Sequence, residues 1–273
     1  MQDSNILVDR KALEMSRNRV IGRDECFLHD LVISEIKDRI QNINRDFQLI
    51  AIVTGLPAPW RKAFPKATII EDKEKLNLSQ SYYDLVIHGM ALHWANDPIG
   101  QLIQARLALK NDGLMIAACL GGTTLNELRS VLTEAETTLM NGIHSRFMPL
   151  AEIRDLGSIM QRAGFALPVA DSAITKFLYK DFYALIHDLR LAAETNVLID
   201  RNKYFSRRDI FELASELYQK RFFRSDGMLS ATYEHIYLTG WAPDPSQQKP
   251  LRPGSAKVRL ADALGTRETH FPD

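Results

Sequence analysis

The sequence lacks the features that would assign it to several classes of protein. Its 34 Lys and Arg residues are balanced by 34 Asp and Glu residues, so no overall positive field favours nucleic acid or an anionic membrane as the main partner. No window approaches the roughly 20 apolar residues of a membrane-spanning helix. The N-terminal stretch MQDSNILVDRKALEMSRNR has no apolar run followed by small residues, so a cleaved secretory signal is not expected. We therefore expect a cytoplasmic protein without an integral membrane segment.

Cysteine is scarce, with two residues in a chain of 273. Cys26 and Cys119 are far apart and each lies among apolar neighbours, which predicts reduced, buried thiols rather than a disulfide framework. No group of His, Cys, Asp and Glu has the spacing of metal ligands, so no iron or zinc site is predicted. The hydrophobic content of 45% is enough for a large core.

The first part of the chain alternates short apolar runs with helical patterns. The runs at 48–53, 67–70, 84–89 and 114–120 predict strands that are buried on both faces, as in a parallel sheet. Apolar spacing predicts a helix from Cys26 to Ile43, and a second helix that begins at Asp97 and Pro98 and ends with Lys110 and Gly113. This alternation predicts right-handed βαβ units.

The second part predicts four more helices and two strands. Thr123 or Thr124 is the expected N-cap of one helix, and Ser206, in the pattern S-x-x-D, is the expected N-cap of another. The other two helices are expected at 150–163 and 181–193, and the strands at 165–179 and 231–243. The prediction is one α/β domain over 1–243, with a mostly parallel sheet and a helical insertion at about 180–225. The composition of residues 244–273 predicts an extended or disordered arm.

A resemblance to a known family begins at YYDLVIHGMALHWANDPIGQLIQARLALKNDGLMIAACLGG. This stretch resembles the second half of a class I S-adenosylmethionine-dependent methyltransferase, including the biotin-pathway enzymes. The later blocks are similar to the methyltransferase-like family of complex I assembly factors and its bacterial relatives; they are GGTTLNELRSVLTEAE, RFMPLAEIRDLGSIMQRAGFALPVAD, DLRLAAETNVL and GMLSATYEHIYLTGWAPDPSQQKPLRPGSAK. The resemblance covers roughly residues 80–260. It implies a Rossmann-like methyltransferase fold with S-adenosylmethionine as cofactor. It also implies a protein substrate or assembly partner, such as a complex I subunit in which an arginine is modified.

The cofactor half departs from the pattern that the resemblance implies. Methyltransferases have a glycine-rich loop after the first strand, whereas TGLPAPW keeps only Gly55 and has prolines at 57 and 59. The stretch ATIIEDKEKLNL best matches the third strand of the family, which places Asp72 near the adenine and leaves the ribose without a carboxylate. An exposed charge is the other interpretation of Asp72, and an ordinary turn is the other interpretation of Gly55. The predicted cofactor-binding residues are Gly55, Asp72, Lys73, His88, Gly89, Met90 and His93.

The catalytic residues are not defined by the sequence. His88 and His93 are candidates because imidazole titrates near neutral pH, but no second acid, base or nucleophile stands at a recognisable spacing, and a packed histidine is the alternative. Two functions therefore stay open. One is a cofactor-dependent enzyme of the methyltransferase family that acts on a protein. The other is a non-catalytic scaffold that has lost the cofactor and docks a partner, with the arm QQKPLRPGSAKVR as a candidate docking segment.

Overall fold

The computed structural model of the chain describes residues 6–22, 26–248, 254–255 and 258–266. The chain divides into two units, Met1–Pro243 and Asp244–Asp273. The described helices of the first unit are α1 (Arg10–Asn18), α2 (Phe27–Gln41), α3 (Pro57–Ala63), α4 (Pro98–Ala108), α5 (Asn126–Met140), α6 (Ile153–Arg162), α7 (Phe182–Leu191) and α8 (Arg208–Phe222). Its strands are β1 (Ile50–Thr54), β2 (Thr68–Glu71), β3 (Tyr83–Gly89), β4 (Leu109–Leu120), β5 (Ala166–Tyr179) and β6 (Leu229–Trp241). A 3₁₀ turn at Leu92–Trp94 follows β3.

The second unit is described in part and contains the helix α9 (Leu260–Leu264). Residues 249–253, 256–257 and 267–273 of the predicted arm, including much of QQKPLRPGSAKVR, lie outside the described residues. The arm at 244–273 therefore stays a prediction. Within the described ranges, no helix combines the length and the apolar character that crossing a membrane requires.

A six-stranded sheet with the order β2-β1-β3-β4-β6-β5 forms the centre of the first unit. Strands β1 to β4 pair in parallel, whereas β6 is antiparallel to both β4 and β5. Strands β1, β3 and β4 are largely buried because helices cover both faces, which explains their continuous apolar runs. Strand β2 lies at the edge of the sheet and only its Ile70 is buried, so the prediction that 67–70 is buried on both faces is wrong. The predicted α/β class with a mostly parallel sheet is confirmed.

Alternate residues of the central strands point into two separate cores. Ile52 and Ile87 pack with α2, α5 and α8 on one face of the sheet. Val53 and Val86 pack with α4 and α6 on the other face. The two cores hold the strand ends in fixed positions, and the loops that follow those ends form the candidate site.

The position of β2 corrects the assignment of ATIIED to the third strand. Strand β2 pairs with β1, with Ile52 opposite Ile69. In a doubly wound sheet of order 3-2-1-4-5-6, the strand beside the first is the second, and an acidic residue after it binds ribose. Asp72 therefore occupies that second-strand position, and no described strand lies beyond β2. Among the described residues, the cofactor half therefore lacks the third strand of that order.

The loop TGLPAPW is a helix in the structure. Pro57 is the first residue of α3, and Pro59 is the third. The first four N–H groups of any helix have no partner within the helix, so a proline at these positions loses no hydrogen bond. The prolines therefore start a helix here instead of stiffening a loop.

Three predicted helix ends are wrong because contacts with other parts of the fold determine where these helices begin or end. Helix α4 ends at Ala108 instead of Gly113, since the N–H groups of Ser81 and Tyr82 donate to the carbonyls of Leu107 and Ala108 at 2.9 and 2.8 Å. Leu125 is the N-cap of α5, because the hydroxyls of Thr123 and Thr124 donate instead to Glu234. Arg207 is the N-cap of α8, and the Ser206 hydroxyl accepts from Arg146. The Asp97 cap of α4 is confirmed by the bond that its carboxylate accepts from the Gly100 N–H at 2.8 Å.

Candidate functional site

The candidate site lies where the carboxyl ends of β1, β2 and β3 meet, which is the edge at which open α/β sheets bind ligands. Gly55 follows β1, Asp72 follows β2, and Met90 follows β3. Helix α1 and the segment after α7 close the site from outside. The cavity that remains has a volume of about 10 Å³, which is room for about one water molecule. Its lining includes Arg17, His29, Gly55, Met90, Trp94 and Glu194.

The side chain of Arg17 covers Gly55. A Cβ atom added to Gly55 would lie 2.0 Å from Cζ of Arg17, a separation that no pair of unbonded atoms tolerates. The guanidinium therefore rests directly on the backbone after β1, and only glycine gives it that room. The part of the loop where a cofactor would approach the backbone is occupied by the chain itself.

Asp72 holds the same guanidinium through both of its carboxylate oxygens. Nη1 of Arg17 donates to Oδ1 at 2.6 Å, and Nη2 donates to Oδ2 at 2.9 Å. Arg10 adds a contact from Nη1 to Oδ2 at 3.5 Å, and its Nη2 donates to the carbonyl of Asp72. The side chains of Asp72 and Arg17 are 4% and 13% exposed, so this is a largely buried ion pair. The alternative that Asp72 is a solvated charge is therefore wrong.

Trp60 covers the second glycine of the predicted set. A Cβ atom on Gly89 would lie 2.3 Å from Cζ2 of Trp60. The indole is fully buried, and its Nε1–H donates to Nδ1 of His29 at 2.8 Å. Since α3 carries Trp60, the proline-bearing segment places an aromatic ring where the sequence analysis expected cofactor.

A buried carboxylate, Glu194, completes the site next to His93. Nε2 of His93 lies 3.3 Å from Oε1 of Glu194, and Nε1–H of Trp94 donates to the same oxygen at 3.4 Å. Burial raises the pKa of Glu194, but the interactions with His93 and the hydrogen bond from Trp94 outweigh it, and the net pKa lies below the usual value. Glu194 is therefore an ionised acceptor inside the site.

The other histidines around Glu194 are neutral. Burial lowers the pKa of His29 to about 4 and that of His235 to about 4. Neither ring nitrogen of His235 has a hydrogen-bond partner among the described residues, and the same holds for Nδ1 of His93. Nδ1 of His93 is therefore the ring nitrogen left available for a ligand, and His93 stays a candidate for proton transfer on this geometry alone.

Two predicted residues lie apart from this cavity. His88 is fully buried on the α4 side of β3, where its Nε2 lies 2.7 Å from Oε1 of Gln101. Burial lowers its pKa, and its Nδ1 has no partner within the described residues. The side chain of Lys73 is 72% exposed and pairs with Glu71 at 2.5 Å. Of Lys73, only the backbone carbonyl faces inward, where it accepts from Nε2 of Gln101 at 3.2 Å.

The fold brings together part of the predicted set and adds residues that the sequence analysis missed. Gly55 and Met90 line the cavity, and Asp72 and His93 bind residues that line it. Arg17, His29, Trp60 and Glu194 were not predicted. Glu194 stood in the block DLRLAAETNVL and Trp60 ended the loop TGLPAPW, whereas Arg17 and His29 lay in stretches without a site signal.

The cavity does not fit S-adenosylmethionine as the residues are arranged. Ligand pockets usually hold about 300 Å³ or more, against about 10 Å³ here. Arg17 and Trp60 occupy the surfaces of the two glycines that the cofactor would need. Asp72, which stands where ribose is bound, has both carboxylate oxygens engaged by arginine.

No family model matches the chain, but individual proteins do. It is 34% identical over 269 residues to arginine-hydroxylase NDUFAF5, mitochondrial, of Rattus norvegicus, a match that covers 89% of this chain and 78% of that protein. It is 34% identical over 198 residues to the Danio rerio protein of the same name, where the match covers 72% of this chain and only 61% of the relative. The malonyl-[acyl-carrier protein] O-methyltransferase of Gallionella capsiferriformans is 30% identical, with 74% of this chain and 67% of that protein covered.

Solved structures also resemble the fold at low identity. The YcgJ protein of Bacillus subtilis aligns with 86% of this chain and 100% of its own length, at 9% identity and a TM-score of 0.47. Phosphoethanolamine N-methyltransferase 2 of Haemonchus contortus aligns with 85% of this chain and 57% of its own, at 11% identity and a TM-score of 0.44. Similarity at this level does not bear on function. By the identity and coverage of its relatives, the chain belongs to the class I methyltransferase-like family that includes arginine-hydroxylase NDUFAF5.

Proposed function

We propose that the chain recognises an arginine side chain of a protein partner and modifies it, as the name of its arginine-hydroxylase relatives suggests. The observation that carries the proposal is the buried Asp72 carboxylate, which accepts two parallel hydrogen bonds from a guanidinium. This geometry suits arginine specifically, because the guanidinium is planar and donates along two parallel directions. The proposed partner is a respiratory complex I subunit, which the family resemblance implies.

The residues of the site have separate roles in this proposal. Asp72 binds and orients the guanidinium, and Gly55 gives its flat face a surface without a side chain. Glu194 supplies a second negative charge in the same cavity, and His93 beside it is the candidate for proton transfer. The surrounding apolar residues exclude water, which strengthens each of these charge interactions.

The proposed chemistry is hydroxylation of the arginine. One C–H bond of the side chain is replaced by C–OH and one oxygen atom of dioxygen enters the product. The other oxygen atom leaves as water after taking up two electrons and two protons from an external two-electron donor. S-adenosylmethionine is the cofactor that the resemblance implies, but in this proposal the arginine of the partner takes Asp72 and Gly55, the groups that the cofactor would need. The residues as arranged support no step through that cofactor.

The test compares complex I from cells that lack this chain with complex I from cells in which it is restored. Peptide mass spectrometry examines every arginine of the complex after restoration with wild type, Asp72→Asn or Glu71→Gln. We expect one arginine to gain one oxygen atom with wild type and Glu71→Gln and not with Asp72→Asn. Gain of a methyl group would assign the site a different chemistry. No change at any arginine would contradict arginine modification.

A scaffold without catalysis is the second candidate, favoured by the closed cavity of about 10 Å³. In the same cells it predicts that Asp72→Asn restores the amount of assembled complex I while no arginine changes mass.

The cellular compartment is a separate question, which subcellular fractionation answers. We propose a cytoplasmic location from the two reduced cysteines, whereas the relatives are named mitochondrial.

A further inference from the structure

The helix that supplies Arg17 is attached outside both main cores. We call residues 8–18 the N-terminal cover. Val8 and Leu13 of the cover pack with Trp94 and Val197 in a small cluster of their own, and both of those partners lie outside the sheet. A segment held by so few buried apolar contacts opens at a lower free energy than the sheet that it covers.

The two ends of the cover are attached differently. Its start is tied by backbone groups and by side chains: the N–H of Val8 donates to Oδ1 of Asn96 at 2.9 Å, and Val8 forms a bridge with Leu198. Arg10 donates to the carbonyl of Trp94 at 3.2 Å and also contacts Asp72. The far end of the cover is tied through side chains, by the contact of 2.7 Å between the Ser16 and Thr195 hydroxyls and by the pair of Arg17 with Asp72. Breaking the contacts of Ser16 and Arg17 would free the far end while the contacts of Val8 and Arg10 still hold the start.

We propose that the N-terminal cover is a removable lid and that Arg17 stands in the site for the arginine of the partner. The inference rests on the proposed function, since it takes the ligand to be a guanidinium. Entry of the partner is then an exchange of one arginine for another on Asp72. The lid stays closed in the absence of partner because opening it leaves the buried Asp72 without its main counter-charge.

The site selects a guanidinium over an ammonium. The two hydrogen bonds at 2.6 and 2.9 Å require two donors in one plane, which lysine does not have. The guanidinium of Arg17 lies so close to the backbone of Gly55 that a Cβ atom there would strike Cζ. This bare backbone surface therefore accommodates a flat group. Glu194 on the cavity wall adds a second anionic group, so the emptied site keeps its attraction for a cation.

The experiment uses N-ethylguanidinium as the probe, with binding measured by calorimetric titration of the full-length chain. Arg17→Ala removes the guanidinium that lies on Gly55 and pairs with both oxygens of Asp72, and leaves Arg10 as the remaining arginine at that carboxylate. Arg19→Ala is the matched control, because Arg19 is exposed just after the same helix. We expect Arg17→Ala to bind the probe roughly tenfold or more tightly than wild type, since a closed lid reduces apparent affinity by the fraction of open molecules. Arg19→Ala should behave as wild type, and Arg17→Ala with Asp72→Asn should not bind.

Equal affinity in wild type and folded Arg17→Ala, or no binding in either, would overturn the proposal. N-ethylammonium should fail to bind Arg17→Ala, and equal binding of that probe would remove the guanidinium specificity. If Arg17→Ala does not fold, hydrogen exchange on the wild-type chain replaces it. Amides of residues 10–18 should then exchange faster when an arginine peptide is added and not when its lysine analogue is added, and unchanged exchange with both would refute the lid.

The outcomes separate the lid from the proposed function. Tight probe binding by Arg17→Ala, without any modified arginine in complex I, would support the lid and contradict the proposed enzymatic function. A modified arginine in complex I, with no probe binding by Arg17→Ala, would support the proposed enzymatic function and contradict the lid.

Discussion

Replacing Asp72 by Asn tests whether the ion pair is as buried as the structure shows. The change keeps the size of the side chain and removes the charge that faces Arg17 and Arg10. Removing one partner of a buried pair costs about 3–5 kcal/mol. The arginine side chains are 13% and 26% exposed, so water compensates for part of the loss. We expect the free energy of unfolding to fall by about 3 kcal/mol, at the lower end of that range.

Urea and thermal denaturation of the purified variant measure this change. A loss of about 3 kcal/mol corresponds to a Tm that is lower by about 6 °C or more in a chain of this size. Glu71→Gln is the matched control, because it removes the same charge one residue earlier from a side chain that is 75% exposed. The control should change stability by less than about 0.5 kcal/mol.

A double-mutant cycle assigns the loss to the pair itself. Arg17→Met removes the other partner and leaves an apolar side chain of similar length. If Asp72 and Arg17 act together, the double variant should be less destabilised than the sum of the single variants, by about 2 kcal/mol. Additive effects, or an Asp72→Asn chain within about 1 kcal/mol of wild type, would refute a buried and energetically coupled pair.

Three further predictions concern the same site. Gly55→Ala should lower the free energy of unfolding by about 1–3 kcal/mol because the added Cβ displaces Arg17, whereas Gly142→Ala, with its nearest neighbour at 3.9 Å, should be almost neutral in the same urea titration. The pKa of His29 is about 4, below its ordinary 6.5, so the unfolded chain binds a proton more readily and stability falls as the pH drops from 6.5 to 4. His29 contributes about 3 kcal/mol to this loss, and an equal loss in His29→Gln between pH 7 and 4.5 would contradict this cause. Trp60→Phe removes the donor to His29 and should cost about 1–3 kcal/mol, whereas a wild-type urea midpoint would show that the hydrogen bond does not stabilise the fold.

The strands were predictable because their burial leaves a local pattern. The inner parallel strands lie between two layers of helices, so an unbroken apolar run is their signature, and 48–53 and 84–89 were recognised on that basis. The ends of helices were less predictable. The hydroxyls of Thr123 and Thr124 suit an N-cap, but Glu234, more than a hundred residues later, takes both of them.

The site was predictable only at its strand ends. Gly55, Asp72 and Met90 follow strands, and ligand sites of open sheets lie at such ends. Arg17 comes from a stretch with no recognisable pattern, and Glu194 lies over a hundred residues from His93. Pairs formed across such separations depend on the packing of α1 and α7, which no local spacing encodes. The pairing of β2 with β1 likewise decides which strand carries Asp72.

The fluorescence of Trp94 can report whether the N-terminal cover is in place. Its indole is 5% exposed and packs against Val8 and Leu13, so departure of the cover would transfer it from an apolar environment to water. The emission of an indole moves to longer wavelengths on such a transfer. The sequence has three tryptophans, and a variant with phenylalanine at Trp60 and Trp241 would leave Trp94 as the sole emitter. Stopped-flow mixing of that variant with partner would then time the opening of the site in solution, without any added dye.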